Sequence, residues 1–157
     1  KLKQIKGINI CAHLIFGLPH ETETHLKETA KTLSELQVDG VKLHNLHVLR
    51  STPLEESYRK GEFKPLSLEA YARRVGVFLD HLSPHVAVHR LAAVASRWDE
   101  LVAPEWSREK MRPVQFIEDL MLCHGHRQGR CSLSIRSQKR QTDSFPPTLH
   151  LPNGACF

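Results

Sequence analysis

Three times between Ile8 and Met121 a short apolar run with strand character gives way to an amphipathic helix, and that alternation limits the fold more than any other feature. Ile8 to Phe16 is mostly apolar, carries three isoleucines and closes on Gly17-Leu18-Pro19, which reads as a buried strand ending in a turn. Glu21-Thr22 then open a helix on which Leu26, Ala30, Leu33 and Leu36 recur at three- and four-residue steps. Lys27, Glu28, Lys31 and Glu35 take its wet side, and it ends near Gln37. Val41 to Leu49 reads as one second strand, stopped by the turn residues Ser51-Thr52-Pro53. Leu68, Tyr71, Ala72, Val75, Phe78, Leu79 and Leu82 form the stripe of the next helix, with Ser67 as its cap, and Val86 to Leu91 supplies a third strand. Ser107 is placed to cap a last helix with Met111, Val114, Ile117 and Met121 on its apolar side.

Such units predict an α/β chain with a parallel sheet, because each crossover is long enough to return the chain to the same end of the sheet. Three strands do not close a barrel, so the expectation is a partial (β/α) barrel: the later strands of a larger sheet, with one edge uncovered. The chain opens Lys1-Leu2-Lys3 without methionine, which is expected of a piece of something longer. Periodicity stops near Arg130. Residues 1–129 are therefore read as one α/β unit and 130–157 as a poorly ordered tail.

Composition narrows the function classes. The sequence has 157 residues, 40% hydrophobic and 25% charged, enough for a buried core. It lacks an uninterrupted apolar run of membrane-spanning length or a secretory leader pattern, so the expected location is cytoplasmic, without a membrane partner. A net charge of +5 is spread along the chain rather than blocked. The Arg127 to Arg140 stretch can meet RNA or phosphate, but with only Phe145 nearby for stacking it reads as solvated tail. Cys11, Cys123, Cys131 and Cys156 contain no C-x-x-C pair. His13, His44, His47 and His89 fall on strands, yet ordinary hydrogen-bonded histidines are the simpler reading, as they are for Cys123-His124-Gly125-His126 with Cys131. Trp98 and Trp106 are read as packing residues.

The chemistry-bearing segment is the first strand-to-helix turn. In parallel α/β folds ligands sit at the carboxyl ends of strands, and a glycine there admits close approach to the backbone. Alternation puts His13, Ile15 and Gly17 on one face and Leu14 and Phe16 on the other; if helices cover the second set, the first lines the interior. In the second strand Asn45 and His47 share a face and are pointed inward, the opposite parity presenting His44 instead. Glu21 either bonds ligand groups or serves the helix start.

Phe16-Gly-Leu-Pro-His-Glu-Thr22 resembles the G-x-P-G-E-T signature of radical S-adenosylmethionine (SAM) enzymes, at the end of their fifth core strand. Val38 to Leu54 resembles their sixth strand and its G-T-P-L turn. Tyr58-Arg-Lys-Gly-Glu-Phe63, His89-Arg-Leu91, Ala103-Pro-Glu-Trp106 and Arg127-Gln-Gly129 are similar to a narrower group, the YhcC-type radical SAM proteins. The resemblance spans about residues 1 to 130.

It implies a (β/α)6 core that binds SAM and a [4Fe-4S] cluster and cleaves SAM reductively to a 5'-deoxyadenosyl radical acting on an unknown substrate. The family holds its cluster with C-x3-C-x2-C, and this sequence has no such motif. The cofactors are thus expected in the parent protein, and this chain alone is expected to be inactive. By the same resemblance Ile15 and Gly17 would lie against the adenine and His47, Val48 and Leu49 would add backbone and apolar contacts, while strand alternation and the turn add His13, Glu21 and Asn45 as candidates. A non-catalytic α/β module binding a nucleotide or RNA is the alternative. His20, Gln37 and Ser51 stand where the family pattern has turn glycines, and any of them held at positive φ carries a strained Cβ.

Overall fold

A computed structural model describes residue 5 and residues 7–131. The expected tail lies outside them from residue 132 on. The order is β1 (Cys11–Phe16), α1 (Glu23–Glu35), β2 (Gly40–Asn45), β3 (Val48–Leu49), α2 (Pro53–Arg59), α3 (Leu68–His81), β4 (Ala87–Arg90), β5 (Leu101–Ala103), a 3-10 turn (Glu105–Arg108) and α4 (Met111–Cys123). β1, β2 and β4 form a parallel sheet in that spatial order, with Ile15 beside His44 and Phe16 beside Asn45. β1 is a terminal strand of this sheet.

One face of the sheet carries the helices. Phe16, Val41 and Leu43 are buried there against Leu26 and Ala30 of α1 and Tyr71, Val75 and Phe78 of α3. The Phe16 ring meets Phe78 edge-on at 5.2 Å between centroids, an arrangement aromatic quadrupoles favour. α4 packs on α3 through Ile117 and Leu120. Thr22 and Ser67 cap α1 and α3 by accepting from the His25 and Ala70 amides.

Several expectations are corrected. The second strand is not continuous to Leu49: it breaks after Asn45, and Val48 and Leu49 leave the parallel sheet to pair antiparallel with Ala103 and Leu101 of β5. Thr52-Pro53 does more than stop a strand, since Thr52 caps α2 and Pro53 takes its first turn, where a missing N–H costs nothing. Leu36 lies beyond α1 and is 60% exposed. Ser107 does not cap α4; it is buried in the 3-10 turn, and Lys110 precedes α4 without a side-chain cap. Trp106 packs on Tyr71 and donates to the Leu66 carbonyl, whereas Trp98 faces solvent. Met111 is likewise exposed.

His20, Gln37 and Ser51 all adopt positive φ, at 64°, 53° and 60°. The reason is local in each of the first two. The Glu21 amide donates to Leu18 O across Pro19-His20, the layout of a type II turn, whose third position takes positive φ. The Val38 amide donates to Leu33 O and the Gln37 amide to Ser34 O, the paired bonds of a Schellman helix end with Gln37 at the left-handed position.

Candidate adenosine-facing site

The carboxyl end of β1 turns at Gly17, whose φ of +93° suits only glycine, and a Cβ there would press on Leu66 at 3.1 Å. The Gly17 amide donates to Glu21 Oε2 at 2.7 Å, and the same oxygen takes Arg74 of α3 at 2.6 Å. Glu21 thereby closes its own turn and anchors it to α3. The next strand-to-helix turn repeats the device: the Ser51 amide donates to Glu55 Oε2 at 2.7 Å, and Arg59 binds the other oxygen. Arg59 and the Ser51 amide hold the Glu55 carboxyl below the ordinary carboxylate range. A glutamate four residues after the turn amide, Glu21 after Gly17 and Glu55 after Ser51, is a signal the sequence carries in both turns.

Cys11, His13 and Ile15 occupy the sheet face away from the helices, and Ile15 is half-exposed there. A groove of about 480 Å3 follows the terminal edge of β1, bordered by His13 and Ile15 from one face, Leu14 and Phe16 from the other, and Leu26 and Thr29 of α1. It therefore lies at the sheet edge rather than over the open face.

The pairing register overturns the inward placement of Asn45. Val41, Leu43 and Asn45 share the helix-covered face, and the open face of β2 presents Lys42 and His44. Asn45 is 1% exposed, and every polar atom of its amide is used. Its Oδ1 accepts from the Ala93 amide at 2.9 Å, while Nδ2 donates to Ser107 Oγ at 2.6 Å and to His47 Nε2 at 2.9 Å. Because Nε2 accepts from the Asn45 amide, the proton of neutral His47 sits on Nδ1. Burial first, then the neighbouring His44, pull His47 down to about 4, so it is neutral at pH 7. Breaking the strand after Asn45 lets His47 return beside His44, with ring centroids 4.7 Å apart. Val48 is fully buried and Leu49 partly so.

Among the described residues no group of three or more His, Cys, Asp or Glu side chains is suited to a metal ion. His126 bonds Asp80 at 2.8 Å instead. The residues present thus do not fit an iron-sulfur cluster. Ile15 and Leu18 leave apolar surface open beside the Gly17 turn.

Residues 38–122 match the family model of the radical SAM C-terminal domain. The chain belongs to that family. It is 38% identical over 124 residues to a protein of Methanocaldococcus jannaschii and 31% identical over 125 residues to YhcC of Escherichia coli, matches covering 79% and 80% of this chain. The chain spans 38% and 40% of those relatives' lengths. A biotin synthase of M. jannaschii is 32% identical over 83 residues, half of this chain and 23% of that protein. Elp3 of Methanocaldococcus infernus, a solved structure, shares the fold with a TM-score of 0.64 at 22% identity, over 78% of this chain and 28% of its own. The YhcC-type resemblance and the α/β radical SAM architecture both hold. No helix among the described residues is long and apolar enough to cross a membrane.

Proposed function

We propose that the whole protein to which this chain belongs is a radical SAM enzyme, and that this chain supplies the adenosine-facing side of its site. The family match across residues 38–122 carries the reading. When bound, SAM supplies a 5'-deoxyadenosyl radical upon one-electron reduction. Ile15 and Leu18 offer the adenine an apolar surface, whereas the space at the bare Gly17 Cα is filled by Leu66, so Gly17 serves the turn through its positive φ. Glu21 positions that turn through the Gly17 amide and Arg74 rather than reaching a ligand. His13 and His44 face the same open side, His47 adds its ring beside His44, and Leu49 borders the turn that follows. Asn45 and Val48, both buried, support the site from behind.

A cluster that would supply the reducing electron would need ligands other than the described residues. The isolated chain is accordingly expected to release no 5'-deoxyadenosine. The test is anaerobic iron-sulfur reconstitution of the whole protein, followed by reduction with SAM. Cluster absorbance and 5'-deoxyadenosine are the expected results. A whole protein that carries C-x3-C-x2-C yet forms neither would refute the enzyme reading and leave a nucleotide-binding module.

A further inference from the structure

β1, β2 and β4 contain no aspartate or glutamate, and their open face collects basic side chains. The register sets His13 beside Lys42, and Lys42 beside Arg90. A register shift between β2 and β4 at this point brings His89 over Gly40, against whose absent Cβ the imidazole lies, and returns Leu91 to the core after Arg90. Adjacent strands are about 4.8 Å apart, so the row His13–Lys42–Arg90 spans about 10 Å across the sheet.

Like charges in register repel, and sheets normally avoid them. Elsewhere the fold neutralises such cations: Arg74 holds Glu21 and Arg130 holds Asp80. Among the described residues neither Lys42 nor Arg90 has a carboxylate partner, and Arg90 spends only its Nε on the Leu43 carbonyl. The Arg90 charge also acts on His47, whose ring lies beside His44, two residues along β2 from Lys42. Among the described residues this repulsion is uncompensated, and departures of that kind are tolerated at functional sites, where a ligand can supply the missing charge.

We propose that this row is an anion site and that it takes a phosphate group of the enzyme's substrate. Two permanent cations and a histidine N–H spread over about 10 Å match a doubly charged group with several acceptor oxygens better than a single carboxylate. The row lies about 7 Å down the strand from Ile15, two residues at about 3.3 Å each, so the phosphate sits below the adenine rather than upon it. The assignment to substrate rests on the radical SAM reading; the anion site itself does not.

The test is titration of inorganic phosphate into the labelled chain at constant ionic strength, without SAM or iron, read by NMR at the His13 and Lys42 amides and the Arg90 Nε–H. Saturable shifts confined to these groups are expected, weaker with acetate. Lys42→Gln should weaken binding about tenfold or more and Lys42→Arg should keep it. A circular-dichroism melt verifies that each variant is folded. Unsaturable shifts, shifts centred elsewhere, or equal affinity in folded Lys42→Gln would overturn the site. Displacement of phosphate by SAM would assign the row to the cofactor's carboxylate and overturn the substrate role. Failure of phosphate binding leaves SAM cleavage by the whole protein untouched as a separate result, and the reverse also holds.

Discussion

Replacing Gln37 by glycine should stabilise the chain, although it removes a side chain and adds no contact. Gln37 occupies the left-handed position of the helix end with φ of 53°, between the Gln37-to-Ser34 and Val38-to-Leu33 bonds. A side chain in that region costs about 1–2 kcal/mol through contact of its Cβ with the backbone. Glycine removes that cost but gains unfolded-state freedom worth about 0.4–1 kcal/mol. The net is a stabilisation of about 0.5–1 kcal/mol, or roughly 1–4 °C in Tm for a chain of this size. Urea unfolding followed at 222 nm measures it. Leu36→Gly is the control, because Leu36 sits one residue earlier at φ −70°, where glycine brings only its entropic cost. Equal destabilisation by the two substitutions would refute the argument that strain is stored at Gln37. His20→Gly and Ser51→Gly act by the same physics, and the three gains should add, since the positions share no hydrogen bond.

Glu21→Ala leaves the Gly17 amide and a mostly buried Arg74 without their acceptor and should cost about 2–3 kcal/mol, with a positive coupling to Arg74→Ala in a double-mutant cycle of denaturation midpoints. His47 has a folded value of about 4 against 6.5 unfolded, so the unfolded state binds the extra proton between those values. Stability therefore falls as pH drops from about 6.5 toward 4, by about 1–2 kcal/mol once solvent screening is discounted, and the difference between wild type and His47→Gln across that window should show this slope. Asp80, 2% exposed, accepts from His126, the Arg127 amide and Arg130, so Asp80→Ala should cost about 3 kcal/mol and raise amide exchange across residues 125–131; unchanged exchange there would contradict its role as the anchor of that segment. Gly76→Ala should cost about 1–3 kcal/mol, since its Cβ would lie 2.6 Å from the His126 ring that Asp80 holds in place; a neutral result in thermal melts would mean that the ring yields.

Much of the framework was legible in the residues themselves. The stripe from Tyr71 to Leu82 on α3, the helix start at Glu21-Thr22, the cap at Ser67, and the division of β1 into a Phe16 face and an Ile15 face follow from period and capping chemistry, which act within a few residues. The departures at His20, Gln37 and Ser51 were visible through the family resemblance, and all three take positive φ because a turn's φ is set locally, whatever residue must adopt it. α2 was missed although Thr52-Pro53-Leu54-Glu55 is a helix start, because Pro53 after a strand was read only as a stop.

What the tertiary structure alone decided concerns contacts between distant segments. Asn45 turns away from the open face because Ala93 and Ser107, 48 and 62 residues later, supply its partners, and no alternation rule reports such partners. β2 ends at Asn45 because Val48 and Leu49 find β5 on another sheet, and that break sends His47 back beside His44. Glu21 was ambiguous until Arg74 from α3 met its carboxylate. Local sequence thus determined the units and their faces, where backbone conformation and side-chain period suffice. Pairing across dozens of residues determined which polar groups are sealed in the core and which, like Lys42 and Arg90, are left side by side on the open face of the sheet.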